Sequence, residues 1–137
     1  MKHKIINLND EQADLLVEML EKHDADFIGE GPDDVVNIGI MDDGRLVAGL
    51  NAGISAFRIM YISTLWVAKN HRKQGLGRQL IEELEKRAKA AGANVLRADT
   101  FDFQGVDFFR KCGFVEVGSY QHPTDGYAEH FFVKYIK

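Results

Sequence analysis

Four basic residues, Lys69, Arg72, Lys73 and Arg78, fall close together with no acid between them. Two glycines, Gly75 and Gly77, stand in the same stretch. An apolar run ends just before it at Val67, and an amphipathic run opens near Leu76. A helix N-terminus presents unpaired backbone N–H groups and the positive end of a dipole. Glycine lets a ligand approach that backbone without a side chain in the way. These residues therefore predict a strand, a basic loop and a helix start that grip an anion, with a pyrophosphate as the best fit. The Walker pattern is absent. The dinucleotide fingerprint fails at its third glycine, where Leu80 stands, and this disfavours a nucleotide-binding protein.

A second charged stretch has the opposite sign. Between Asp24 and Gly44 lie Asp24, Asp26, Glu30, Asp33, Asp34, Asp42 and Asp43, with no Lys or Arg. The basic stretch suits an anionic cofactor, and the acidic one suits a cationic second substrate. Cys112 is the only thiol. It falls at the expected C-terminal end of a helix, where the dipole disfavours a thiolate, so an acyl-cysteine route is disfavoured. The histidines are scattered without metal-ligand spacing, and no metal is expected.

The chain of 137 residues is long enough for one domain with a real core. It is 45% hydrophobic and 28% charged, as an ordinary globular protein is. No apolar run reaches membrane-span length, and the first residues lack a signal-peptide core. With a single cysteine, this favours a reducing, cytoplasmic setting and no membrane partner. A net charge of −4 argues against broad nucleic-acid binding.

The elements that must position these groups follow from periodicity and punctuation. Residues 3–8 read as a first strand. Asn9, with Gln12 as capping-box partner, opens a helix whose stripe is Ala13, Leu16, Val17 and Leu20 and which is expected to end near His23. Residues 24–34 read as a loop. Residues 35–41 and 45–54 read as a hairpin across Asp42-Asp43-Gly44. Residues 57–67 then complete a meander, and Trp66, near its end, is assigned to the core. The helix from Leu76 carries Leu80, Ile81, Leu84, Ala88 and Ala91 on one stripe and stops at Gly92. Residues 94–100 form the parallel partner strand of a right-handed crossover. A short helix at 104–112, a strand at 114–120, a turn at 122–126 and a strand at 127–136 complete the chain.

Arg72-x-x-Gly75-x-Gly77, directly after a strand and opening a helix, resembles the acetyl-CoA loop of the GNAT superfamily of N-acetyltransferases. Asp102 to Phe114, DFQGVDFFRKCGF, resembles the family's second signature, with Gly105 at a small-residue position and Phe108, Gly113 and Phe114 in register. The resemblance covers nearly the whole chain and is to a small, bacterial, single-domain type. It implies an α/β (α+β) fold: a mixed, mostly antiparallel twisted sheet of about seven strands flanked by about four helices, with a V-shaped cleft between two central parallel strands.

The same resemblance implies the chemistry. Acetyl-CoA would be the co-substrate, and acetyl would pass directly to a primary amine on a small cationic molecule or a peptide. The backbone of Leu65, Trp66 and Val67 would meet the pantetheine arm and polarise the thioester carbonyl. Backbone N–H groups of Gln74, Gly75, Leu76, Gly77 and Arg78 would hold the pyrophosphate, helped by Arg72 and Lys73. Phe108 and Phe109 would flank the thiol end, and Gln104 would cap its helix or touch the pantetheine arm, with capping the favoured role. Two departures stand out. Asp102 replaces the family asparagine. Phe109 stands where many relatives carry a tyrosine that protonates the leaving thiolate. That leaves Asp99 and Glu30 as candidate bases and Tyr61, Tyr120 and Tyr127 as candidate acids, with no choice among them. It also raises the alternative of a catalytically weak acyl-CoA-binding or sensor module. Homodimers are common in the family, often through terminal strands.

Overall fold

The computed structural model describes residues 3–28 and 33–137, which form two compact units. In the first, α1 spans Asp10–Ile28. Its start is the expected capping box: Asn9 N–H donates to Gln12 Oε1 at 3.0 Å, and Gln12 N–H donates to Asn9 Oδ1 at 2.8 Å. The helix runs past His23 because Asp24, Ala25 and Asp26 are tolerated within a helix, and no Gly or Pro occurs before Gly29. Residues 3–8 are not a strand. Strand propensity alone does not make one, since an extended segment needs a hydrogen-bonded neighbour.

The second unit is one sheet flanked by helices. Its strands are β1 (Val35–Asp42), β2 (Arg45–Ala56), β3 (Ile59–Val67), β4 (Val95–Phe101), β5 (Val115–Gln121) and β6 (Ala128–Tyr135). The helices are α2 (Leu76–Ala90) and α3 (Val106–Lys111), with a single 3₁₀ turn at Lys69–His71. The strand order is β1-β2-β3-β4-β6-β5. Only β3 and β4 are parallel. Among the described residues there are thus six strands and three α-helices rather than seven and four. The missing strand is the one expected at residues 3–8.

Two tight turns fix the meander. Asp43 (φ 50°) and Gly44 (φ 75°) join β1 to β2. Phe57 (φ 50°) and Arg58 (φ 63°) join β2 to β3. Positive φ at both central residues suits the right-handed twist of a hairpin. The second turn uses residues for which that conformation is sterically unfavourable, so β2 runs through Ser55-Ala56 and the turn falls on Phe57, where a strand was expected to begin.

The core lies between α2, α3 and one sheet face. Leu80, Ile81, Leu84 and Ala88 of α2 are buried against Leu50, Met60, Ile62 and Leu96 of the sheet. Each large aliphatic group so buried contributes about 1.5–3 kcal/mol before entropy is counted. Truncating Leu84, which is fully buried, would cost about 2–5 kcal/mol. The helix stops at Gly92 (φ 91°), where Gly92 N–H donates to Lys89 O and Ala93 N–H donates to Ala88 O.

Candidate active-site cleft

The cleft is made by a strand pair that stops pairing. β3 and β4 run in register from Ile59↔Val95 to Ile62↔Ala98, and no pairing continues beyond. β3 goes on to Val67 and β4 to Phe101. A bulge helps them part: Asn51 pairs with Thr64 and Ala52 with Ile62, so Ser63 is the extra residue on β3. Its hydroxyl donates to Asn51 O at 3.2 Å. Backbone edges at residues 63–67 and 99–100 thus face a gap of about 700 Å³. That volume suits a small-molecule or cofactor arm.

One end of the gap is the N-terminus of α2. Gly75 (φ 81°) is the N-cap, and a Cβ there would meet nothing. The first intrahelical bond is Gln79 N–H to Gly75 O at 3.0 Å, so the N–H groups of Leu76, Gly77 and Arg78 have no acceptor within the helix. Gly77 is needed for space: a Cβ there would lie 2.8 Å from Phe108 Cε1. Around this end Arg72 Nε donates to Val67 O, and Arg78 Nη2 donates to Lys111 O. Lys73 is exposed at φ 62°. Among the described residues no carboxylate pairs with Arg72, Lys73, Arg78 or Lys111. Unpaired cations and free N–H groups at a helix start fit a diphosphate.

A more apolar wall runs on from there. Phe108 and Phe109 of α3 line it, with Thr100, Gln104, Gly105 and Cys112. Phe109 is buried and packs on Phe108, Phe114 and Phe132. Thr100 Oγ1 accepts Gly105 N–H at 2.9 Å. Gln104 folds back as a local cap, its Oε1 accepting Phe101 N–H at 2.9 Å. Burial pushes the Cys112 thiol above its ordinary pKa, which leaves it a poor nucleophile.

Asp99 is the first β4 residue past the split. By strand alternation it lies on the sheet face opposite Ala98 and Thr100, away from α2 and α3. Tyr61 O–H donates to Asp99 Oδ2 at 2.8 Å, and the Arg97 guanidinium sits 4.4 Å over the Tyr61 ring. The bond to Asp99 raises the Tyr61 pKa.

Of the residues singled out in the sequence, Leu65, Trp66, Val67, Arg72, Lys73, Gly75, Leu76, Gly77, Arg78, Gln104, Phe108 and Phe109 all line this cleft, as does Asp99. Gln74 does not line it: its side chain turns back toward Asn70 O at 3.5 Å. Trp66, assigned to the core, is instead 46% exposed. Tyr120 and Tyr127 do not line the cleft. Tyr120 donates to Glu129, while Tyr127 sits edge-on to Phe103. Glu30 lies outside the described residues. Ser63, Thr64, Thr100 and Phe103 join the lining without having been marked. The β3–β4 split, the bulge and the α3 turn bring them there, and none of these has a simple sequence signal. His71 also lines the cleft, its Nε2 3.0 Å from Asp42 Oδ2. No helix among the described residues is long and apolar enough to cross a membrane.

Comparison with known proteins agrees with this geometry. Residues 4–114 match the acetyltransferase (GNAT) family. A blasticidin-S acetyltransferase of Streptomyces morookaense is 32% identical over 92 residues, covering 66% of this chain and 67% of that one. A crystal structure of an acetyltransferase from Bacillus cereus ATCC 14579 superposes with a TM-score of 0.90 at 25% identity, over 98% of both chains. At 18% identity, and so informative for the fold alone, is a Bacillus anthracis Ames protein proposed to be a streptothricin acetyltransferase. It was solved in complex with acetyl coenzyme A and superposes with a TM-score of 0.68 over 81% of this chain and 66% of that one.

Proposed function

The chain belongs to the GNAT acetyltransferase family, enzymes that use acetyl-CoA, and from that premise we propose that it acetylates the primary amine of a small cationic acceptor by direct attack in a ternary complex. The observation that carries the reading is the split between β3 and β4, with a cationic helix start at one end and Asp99 just past the fork. Acetyl-CoA supplies an activated acyl group on a thiol that leaves readily. The N–H groups of Leu76, Gly77 and Arg78 bind its diphosphate, with Arg72 and Lys73 beside them. The edge of β3 at residues 63–67, open apart from Val67 O, which Arg72 occupies, pairs with the pantetheine amides and orients the thioester carbonyl. Phe108 and Phe109 exclude water from the thiol end.

An amine with a pKa of about 10.4 is neutral in only about one molecule in two thousand at pH 7, a deficit of more than 4 kcal/mol. Asp99 acts in two ways: its carboxylate draws the ammonium group to the fork, and it offsets the deficit by accepting the proton that the amine sheds. Tyr61 holds that carboxylate in place. The acidic residues between Asp24 and Asp43 favour a cationic acceptor, and a relative named for acetylating blasticidin-S supports a small-molecule one.

The test is CoA release from acetyl-CoA across a panel of cationic, neutral and acidic amines. Cationic acceptors are expected to turn over, and Asp99→Asn is expected to lower kcat about 10²-fold or more with acetyl-CoA affinity kept. Turnover confined to neutral or acidic acceptors would sink the cationic part. An Asp99→Asn enzyme of nearly full activity would remove Asp99 from the proton's path.

A further inference from the structure

His130, on β6, is 15% exposed and has a carboxylate oxygen on each ring nitrogen. Nε2 lies 2.5 Å from Asp102 Oδ1, and Nδ1 lies 2.6 Å from Glu116 Oε1. A neutral imidazole has one N–H and can satisfy only one carboxylate, while an imidazolium satisfies both. The geometry therefore describes a protonated histidine. Asp102 sits on the turn between β4 and α3. Its Oδ2 accepts Ala128 N–H at 2.8 Å, and its own N–H donates to Ala128 O at 3.1 Å. The turn so tied carries Phe103, Gln104 and Gly105, all in the cleft wall.

We propose that His130 is a positioning residue for acetyl-CoA binding: as an imidazolium between Asp102 and Glu116 it holds the Phe101–Gly105 turn against the cleft, and the turn loosens when the proton leaves. The proposal rests on the reading that acetyl-CoA occupies this cleft. The groups facing the ring are few. Asp102 comes from the turn and Glu116 from β5, with Arg110 of α3 behind Glu116 at 3.2 Å. The Phe132 ring stacks beside the imidazole, and Thr100 opposite it on β4 is uncharged. Neighbouring Glu129 is taken up by Tyr120.

On deprotonation one carboxylate must let go. Glu116 is on a strand, 30% exposed and backed by Arg110, whereas Asp102 is on a turn and 45% exposed. Asp102 is the one that can turn to water, and the cleft wall goes with it. The hydrogen bond to Asp102 and then that to Glu116 raise the His130 pKa, against opposing burial. The same pair explains why an aspartate serves at position 102. The amide introduced by Asp102→Asn would suit a neutral ring: its carbonyl oxygen would accept Ala128 N–H, its NH₂ would donate to a bare Nε2, and Nδ1–H would still reach Glu116.

The experiment follows acetyl-CoA Kd by calorimetry from about pH 7 to about pH 10, on wild type and Asp102→Asn, beside an NMR titration of the His130 ring. The ring is expected to titrate above the ordinary value of about 6.5. Wild-type Kd is expected to rise about fivefold or more across that same step, and Asp102→Asn to stay flat. A ring that titrates at or below the ordinary value overturns the clamp. A flat wild-type profile, or a variant with the wild-type step, overturns the coupling alone. Absence of binding at every pH would overturn the cofactor cleft itself, and this coupling with it.

Discussion

Gly77→Ala separates two arguments that give opposite signs. Helix propensity alone favours the change by up to about 1 kcal/mol. Packing opposes it. The new Cβ would lie 2.8 Å from Phe108 Cε1 and 3.0 Å from Cζ, against about 3.5–4.0 Å for a relaxed carbon contact. The Phe108 ring must yield by roughly 0.5–1 Å. It stands edge-on to buried Phe109, with ring centroids 5.4 Å apart, so it yields toward the cleft. Overpacking of this kind costs about 1–3 kcal/mol. The net expectation is a loss of about 1–2 kcal/mol in urea unfolding, with weaker acetyl-CoA binding because the ring has moved into the gap. Phe108→Leu removes the obstructing edge, so the double variant should recover about 1 kcal/mol relative to additivity. A Gly77→Ala protein more stable than wild type, or strictly additive costs, would refute the packing argument.

Four further outcomes are expected. Thr100→Val leaves Gly105 N–H without its 2.9 Å acceptor in a buried site and should cost about 1–3 kcal/mol, whereas Thr100→Ser should keep most of the stability. Gly105→Ala should be neutral to slightly stabilising, by up to about 1 kcal/mol: its φ is −127°, and the added Cβ would meet Phe109 at an ordinary 3.4 Å. Phe109→Tyr should raise kcat by no more than about tenfold, since a thiolate of pKa about 8.5 leaves with little help; a gain near a hundredfold in a thiol-release assay would show that the missing acid limits the enzyme. Stability should fall at both ends of the pH range in urea titrations. His130, raised, contributes below its unfolded pKa and is lost as pH climbs through the folded value, while Asp102, lowered chiefly by the Ala128 N–H, contributes above its unfolded pKa and is lost as pH drops through the folded one. His130→Gln should remove the alkaline fall.

The crossover from β3 through α2 to β4 was legible because its signals are local. Gly75 and Gly92 punctuate it, and the α2 stripe repeats at helical spacing over 15 residues. The basic loop was legible for the same reason. What was not legible depended on distant partners or on strain offset elsewhere. The Phe57-Arg58 turn has no glycine or asparagine to announce it, and it is held by the register of β2 on β3 and by the N–H groups of Asn94 and Val95 on Arg58 O. Residues 3–8 have strand composition, but pairing is a property of two segments. Trp66 sits in an apolar run whose alternation does not say which face is covered. The Asp102–His130–Glu116 contact joins residues 14 and 28 positions apart, and no spacing rule reaches from the end of β4 across β6 to β5.

The reaction proposed for the cleft depends on the cationic start of α2 holding the diphosphate of acetyl-CoA. The most direct test is calorimetric titration of acetyl-CoA into wild type and Lys73→Glu, a charge reversal at an exposed residue outside the core. Micromolar binding by wild type, weakened about tenfold or more by the glutamate, is the predicted result. Binding that is absent in wild type, or undiminished in the variant, would contradict the account.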